Sequence, residues 1–123
     1  MVPFRERYTF EERCREYKRV AHKRIGYIPT ILERGSSEIP PIDKEKYMVP
    51  QDLNGAQLTY IIRRRMHMKP SQALFLLCDK KMINASDTMR DIWRCHQDND
   101  GFLYITYTLE NAFGQMAPGC WKA

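Results

Sequence analysis

Apolar residues Phe10, Cys14, Tyr17 and Ala21 recur at steps of four, three and four, with Glu11, Arg13, Arg15, Lys18, Arg19 and Lys23 between them. A helix of 3.6 residues per turn gathers such a set into one stripe, which predicts a surface helix laid on a core. Thr9 and Glu12 fit the reciprocal pattern in which a hydroxyl and a carboxylate satisfy each other's open amides, so the helix starts at Thr9. Gly26 is its predicted stop. Residues 3–8 form a short first helix, with Pro3 tolerated in its opening turn.

Residues 27–32 read as a strand apolar on both faces, although Pro29 cannot donate a ladder bond and predicts an irregular or partly unpaired position. Residues 34–41 form a loop, and Lys46 to Pro50 a second short strand stopped by proline. Asn54 is the expected cap of a helix over 55–66, with Leu58, Ile61, Ile62 and Met66 facing a core. Residues 73–78 are continuously apolar, as in a strand buried on both faces, and Asp79, Lys80 and Lys81 turn the chain. Ser86 caps a short helix with Met89, Ile92 and Trp93 inward, residues 98–101 turn, and 102–107 form the last strand. After the first two helices the order is strand, strand, helix, strand, short helix, strand, the α+β pattern of a ubiquitin-like β-grasp. The predicted organisation is a helical extension (1–25), a β-grasp body (26–108) and a C-terminal tail (109–123).

The length of 123 residues suits one domain with one core. No apolar run approaches bilayer-spanning length and the first residues lack a secretory signal, so a cytoplasmic or nuclear location is expected. Cys14, Cys78, Cys95 and Cys120 show no CxxC spacing and give no zinc-ligand pattern with His22, His67 and His96, so reduced thiols, no metal and no cofactor are expected. Cys95 and His96 adjoin, but neighbours on a helix point about 100° apart, and a nucleophile and its base are normally assembled from distant stretches. The net charge of +5 is concentrated in residues 5–24 and Arg63, Arg64 and Arg65, which suits an acidic partner such as nucleic acid, anionic lipid or an acidic peptide. Neither exposed interleaved aromatics nor a nucleic-acid module accompanies that charge, and no titratable constellation or phosphate-binding loop marks an enzyme.

From Leu109 onward no apolar period of either kind continues, and Gly and Pro punctuate the chain. Such tails are ordinarily frayed termini. Gly114, lacking a Cβ, admits close approach by another backbone and passage through a narrow channel, which suits the grip of a processing enzyme.

Thr9-Phe10-Glu11-Glu12-Arg13, Ile28-Pro29, Asp43-Lys44-Glu45-Lys46-Tyr47-Met48-Val49-Pro50, Ile62-Arg63-Arg64-Arg65, Gln72-Ala73-Leu74-Phe75, Asp100-Gly101-Phe102-Leu103-Tyr104 and Phe113-Gly114 run in order with near-constant spacing. Through them the chain resembles the autophagy-related protein eight family of ubiquitin-like modifiers, with its microtubule-associated light-chain and GABA-receptor-associated branches. The resemblance implies that a dedicated cysteine protease cuts after Gly114, removing residues 115–123. Activating and conjugating enzymes then pass the glycine carboxylate through thioesters to the amine of phosphatidylethanolamine. The chain would act on autophagosomal membranes and would itself catalyse nothing.

The resemblance further implies that the strand from Lys46 to Pro50 accepts short motifs of an aromatic residue, two spacers and an aliphatic residue, often after acidic residues, carried by cargo receptors and adaptors. The aromatic pocket would be lined by Glu16, Val20, Pro29, Ile31, Lys46, Met48 and Phe102. The aliphatic pocket would use Tyr47, Val49, Pro50, Leu53, Leu58 and Ile61, with Lys44, Lys46 and Arg65 drawing the acidic flank. By the period of a strand, Lys46 and Met48 share one face. Leu58 and Ile61 are aliphatic where the receptor-associated branch carries a larger aromatic and a leucine, which predicts a roomier second pocket. Cys78 replaces a common valine, and Tyr17, Ala21, His22, Gly26 and Tyr27 also depart from the family pattern. The alternative reading is a non-conjugated ubiquitin-like adaptor that binds peptides or microtubules, with tubulin as partner. Nucleic acid is not expected as a partner.

Overall fold

The first and last strands lie side by side at the middle of the sheet: β1 (Tyr27–Arg34) runs parallel to β5 (Leu103–Thr108) and antiparallel to β2 (Lys46–Pro50). The computed structural model describes residues 2–36 and 39–109. β3 (Phe75–Cys78) pairs antiparallel with β5 and with the two-residue β4 (Lys81–Met82), giving the order β2-β1-β5-β3-β4. With α1 (Phe4–Arg7), α2 (Phe10–Lys23), α3 (Gly55–Arg65) and α4 (Met89–His96), this is the expected α+β β-grasp with additional N-terminal helices.

Alternation along the strands divides the apolar residues between two layers. Ile28, Leu32, Leu103, Ile105 and Tyr107 face α3 and α4, where Leu58, Ile62, Met89 and Ile92 complete the larger core. Ile31, Phe102 and Tyr104 face the other way, and Phe4 of α1 and Val20 of α2 close over them. The N-terminal helices are therefore fastened to the sheet by a core of their own. Phe102 meets Phe4 and Tyr17 edge-on, with centroids 5.5 and 5.6 Å apart.

Both predicted caps form: Thr9 closes its reciprocal pair with Glu12 at the start of α2, and Asn54 caps α3, where the structure adds a reciprocal bond from Gln57. Gly26, with φ of 89°, turns the chain from α2 into β1. Pro29 is partly unpaired, as its missing donor predicts: it pairs in register with Met48 on β2, and the ladder to β5 begins one residue later at Thr30.

Three local expectations are corrected, and one strand was not expected at all. Phe10 is 48% exposed, because Phe4 covers the Phe102 and Tyr104 rings at that end of the layer, and the buried residue of α2 is Val20. Ile61 is 39% exposed, since the inward face of α3 is set by Leu58 and Ile62. The cap of α4 is Thr88, not Ser86: its hydroxyl accepts from the Asp91 amide at 3.2 Å. Residues before it are held by the start of α3, through Ala56 N–H to Ala85 O at 3.0 Å and Gly55 N–H to Asp87 O at 2.9 Å. Strand β4 had no signal, because the left-handed pair that makes its hairpin, Asp79 and Lys80 (φ 51° and 65°), carries no glycine.

Candidate functional site

β2 ends the strand order, so one of its edges has no strand partner among the described residues. An open edge offers main-chain donors and acceptors to any extended peptide. The side chains of β2 alternate as a strand requires: Met48 packs on the layer beneath α2, while Tyr47 and Val49 belong to the core beneath α3.

On the α2 side the structure brings together Glu16, Val20, Ile31, Lys46, Met48 and Phe102. Val20, Ile31 and Phe102 are buried together, with Met48 partly buried against them. An open groove of about 400 Å³ is lined by Phe4, Tyr8, Glu12, Glu16, Arg19 and Lys46 among others, and Val20, Ile31, Met48 and Phe102 do not line it. Pro29 is buried in β1 opposite Met48 and supports the strand rather than the groove. Glu16 is ion-paired with Lys46 across the groove and with Arg19 one turn along α2, the latter through bonds of 2.8 and 2.7 Å. The Arg19 hydrogen bonds, outweighing desolvation and joined by Lys46, hold the Glu16 carboxyl at about 2. A permanent anion thus neutralises the groove's two nearest cations.

Lys46 also borders a second hollow of about 880 Å³, between α1 and the segment leading into β2. Its rim carries the Arg7–Glu45 ion pair, and inside it burial pushes the Glu33 carboxyl upward, with Arg5 acting against this. The larger hollow therefore lies beside β2's entry, and the smaller one carries the acidic-to-basic pairing.

The residues proposed for the aliphatic side divide in two. Val49 and Leu58 are buried core, with Tyr47 and Leu53 packed on them, whereas Pro50 and Ile61 remain on the surface. Asp43 organises the basic flank. It accepts from the Tyr47 hydroxyl, pairs with Arg65 at 2.8 Å and accepts from the Lys44 amide at 3.0 Å. Those bonds, that of Tyr47 first, lower the Asp43 carboxyl, and burial followed by Asp43 raises the Tyr47 hydroxyl. Lys44 and Arg65 both lie over the Tyr47 ring, at 4.9 and 5.5 Å.

Sequence reasoning did not find the network that anchors this side of the fold. Asp100 is buried and accepts from Arg13 Nη1 at 3.1 Å, the Tyr104 hydroxyl at 2.5 Å and the Phe102 amide at 2.8 Å. The turn signal at residues 98–101 marked Asp100, but nothing in the sequence joins it to Arg13 on α2. Gly101, with φ of 104°, lies so close to Tyr17 that a Cβ would stand 2.4 Å from its ring. Phe113 and Gly114 lie outside the described residues.

A family profile described as autophagy protein Atg8, ubiquitin-like, matches residues 12–114. The chain belongs to this family. Among similar proteins, the autophagy-related protein 8 of Mycosarcoma maydis is 40% identical over 114 residues, covering 92% of this chain and 97% of that protein. The protein of the same name in Penicillium rubens is 41% identical over 92% of this chain and 97% of its own. That of Saccharomyces cerevisiae is 42% identical over 91% and 97%. Family membership gives the chain an autophagy role as a ubiquitin-like modifier, not as an enzyme. Among the described residues, no helix is long and apolar enough to cross a membrane.

Proposed function

We propose that this Atg8-family chain is cut after Gly114, conjugated through that glycine to phosphatidylethanolamine on autophagosomal membranes, and there recruits receptors carrying acidic aromatic-x-x-aliphatic motifs. The observation that carries the recruiting half is the open β2 edge beside the Lys46–Glu16 groove. The edge supplies main-chain pairing, an aromatic side chain enters beside Lys46 toward the layer of Val20, Ile31, Met48 and Phe102, and Lys46 exchanges Glu16 for the peptide's acid. Tyr47, Pro50, Leu53 and Ile61 receive the aliphatic residue, and Lys44 and Arg65 meet the acidic flank.

The conjugation half rests on the family match, which runs to residue 114. In this reading residues 1–25 are a helical attachment, 26–108 the carrier body and 109–123 the processed tail. The processing protease, the activating and conjugating enzymes, cargo receptors and the acceptor lipid are its partners, and the cytoplasm is its location before conjugation. Intact mass spectrometry of the protein from cells tests it: the expected species ends at Gly114 and carries phosphatidylethanolamine. An unprocessed mass that persists after incubation with the family protease would replace this reading by that of a non-conjugated adaptor.

A further inference from the structure

At the end of the sheet opposite β2, the fold gathers three side chains from two distant stretches: Cys78 ending β3, Asp79 in the β3–β4 turn and His96 ending α4. One ligand-capable atom of each lies within 4.8 Å of the other two. The left-handed turn at Asp79 and Lys80 does the placing, because it folds the Asp79 carboxylate back until its Oδ2 lies 2.5 Å from His96 Nδ1. The Cys95–His96 pair that adjoins in the sequence is thus superseded by a cluster built from Cys78.

We propose that Cys78, Asp79 and His96 form a binding site for one divalent cation of the zinc class. A sulfur, an imidazole nitrogen and a carboxylate oxygen are the donor set such an ion takes, and three protein ligands leave a fourth tetrahedral position to water. The site has a closed and an open end. Cys78 is 2% exposed at the bottom, and the Asp79 side chain is 64% exposed at the mouth, which gives an ion a way in.

The same residue types serve elsewhere as nucleophile, base and orienting acid, and the geometry opposes that use. The Cys78 thiol donates to the Tyr104 carbonyl at 3.3 Å, and burial pushes it up to about 12, so a substrate finds neither access nor a thiolate. A bare ion needs far less room. On entry the S–H bond is replaced by a sulfur–metal bond and the proton leaves to solvent. Bound there, the ion ties the β3–β4 turn to the end of α4.

The test uses the full chain, chelator-treated and kept reduced, titrated with Co²⁺ and followed by optical absorption, then back-titrated with Zn²⁺. The expected result is a thiolate-to-cobalt charge-transfer band saturating at one ion per chain and erased by Zn²⁺. Cys78→Val abolishes the band, and Cys95→Ser leaves it intact. Asp79→Asn, on an exposed turn where folding is not at stake, and His96→Asn each weaken binding roughly tenfold or more. No charge-transfer band, a band that survives Cys78→Val, or affinity unchanged in both Asp79→Asn and His96→Asn would each overturn the site.

Discussion

Lys46 on β2 and Glu16 on α2 are ion-paired across the groove that separates their elements, and Glu16 is shared with Arg19. An acidic peptide docking on β2 competes with Glu16 for these cations. Lys46→Glu should weaken an acidic aromatic-x-x-aliphatic peptide by about 1–3 kcal/mol, the range of a charge-assisted contact. Glu16→Gln should act oppositely, since it releases Lys46 and Arg19 to the ligand. Calorimetric titration of one peptide against the three proteins measures both signs, and equal affinities would remove Lys46 from the recognition surface.

The same carboxylate predicts an acid dependence. Hydrogen bonds from Arg19 first, then Lys46, depress the folded Glu16 carboxyl from 4.5 to about 2. Its stabilising effect is therefore complete above the unfolded value and is lost as pH falls through the folded one. Denaturant midpoints should drop between about pH 5 and about pH 2, and drop less in Glu16→Gln. The groove is open to solvent, so the difference should be only about 1 kcal/mol. Superimposable curves for the two proteins would mean that the pair is silent.

The start of α4 distinguishes two hydroxyls two residues apart. Thr88 accepts from the Asp91 amide, so Thr88→Ala should cost about 0.5–2 kcal/mol in chemical denaturation. Ser86→Ala should change stability by less than about 0.5 kcal/mol, as surface substitutions generally do. The reverse ranking would return the cap to Ser86.

That contrast shows what the sequence could reveal. Elements whose signal is local were legible: the Thr9–Glu12 cap pair, the Asn54 cap and the alternation of Lys46 and Met48 formed as read. What failed depended on a distant partner. Ser86 and Thr88 are equal as hydroxyls, and only the bonds from Gly55 and Ala56 to residues 85 and 87 decide where α4 begins. Phe10 lost its place to Phe4, which arrives from a separate helix. The β2 edge was legible as a short strand stopped by proline, but the Glu16–Lys46 pairing spans 30 residues and has no period to announce it. The meeting of Cys78 with His96 was invisible for the same reason.

Asp100 carries the largest predicted stability effect because its buried carboxylate answers a half-buried guanidinium. Asp100→Ala leaves Arg13, whose Nε already has no hydrogen-bond partner, with an uncompensated charge, and should cost about 3–5 kcal/mol in urea unfolding. Tyr104→Phe removes one bond to the same carboxylate and should cost about 0.5–1.5 kcal/mol. Adding Arg13→Met to Asp100→Ala should recover part of the loss, since the stranded charge disappears with its partner. Arg13 belongs to α2 and Asp100 to the turn entering β5, so this network holds α2 over the sheet and keeps the groove beside Lys46 in shape. Asp100→Ala should therefore also weaken the motif peptide under conditions where the protein is still folded. Strictly additive single and double variants, with peptide affinity untouched, would show that Arg13 and Asp100 act independently and that α2 is held by its apolar layer alone.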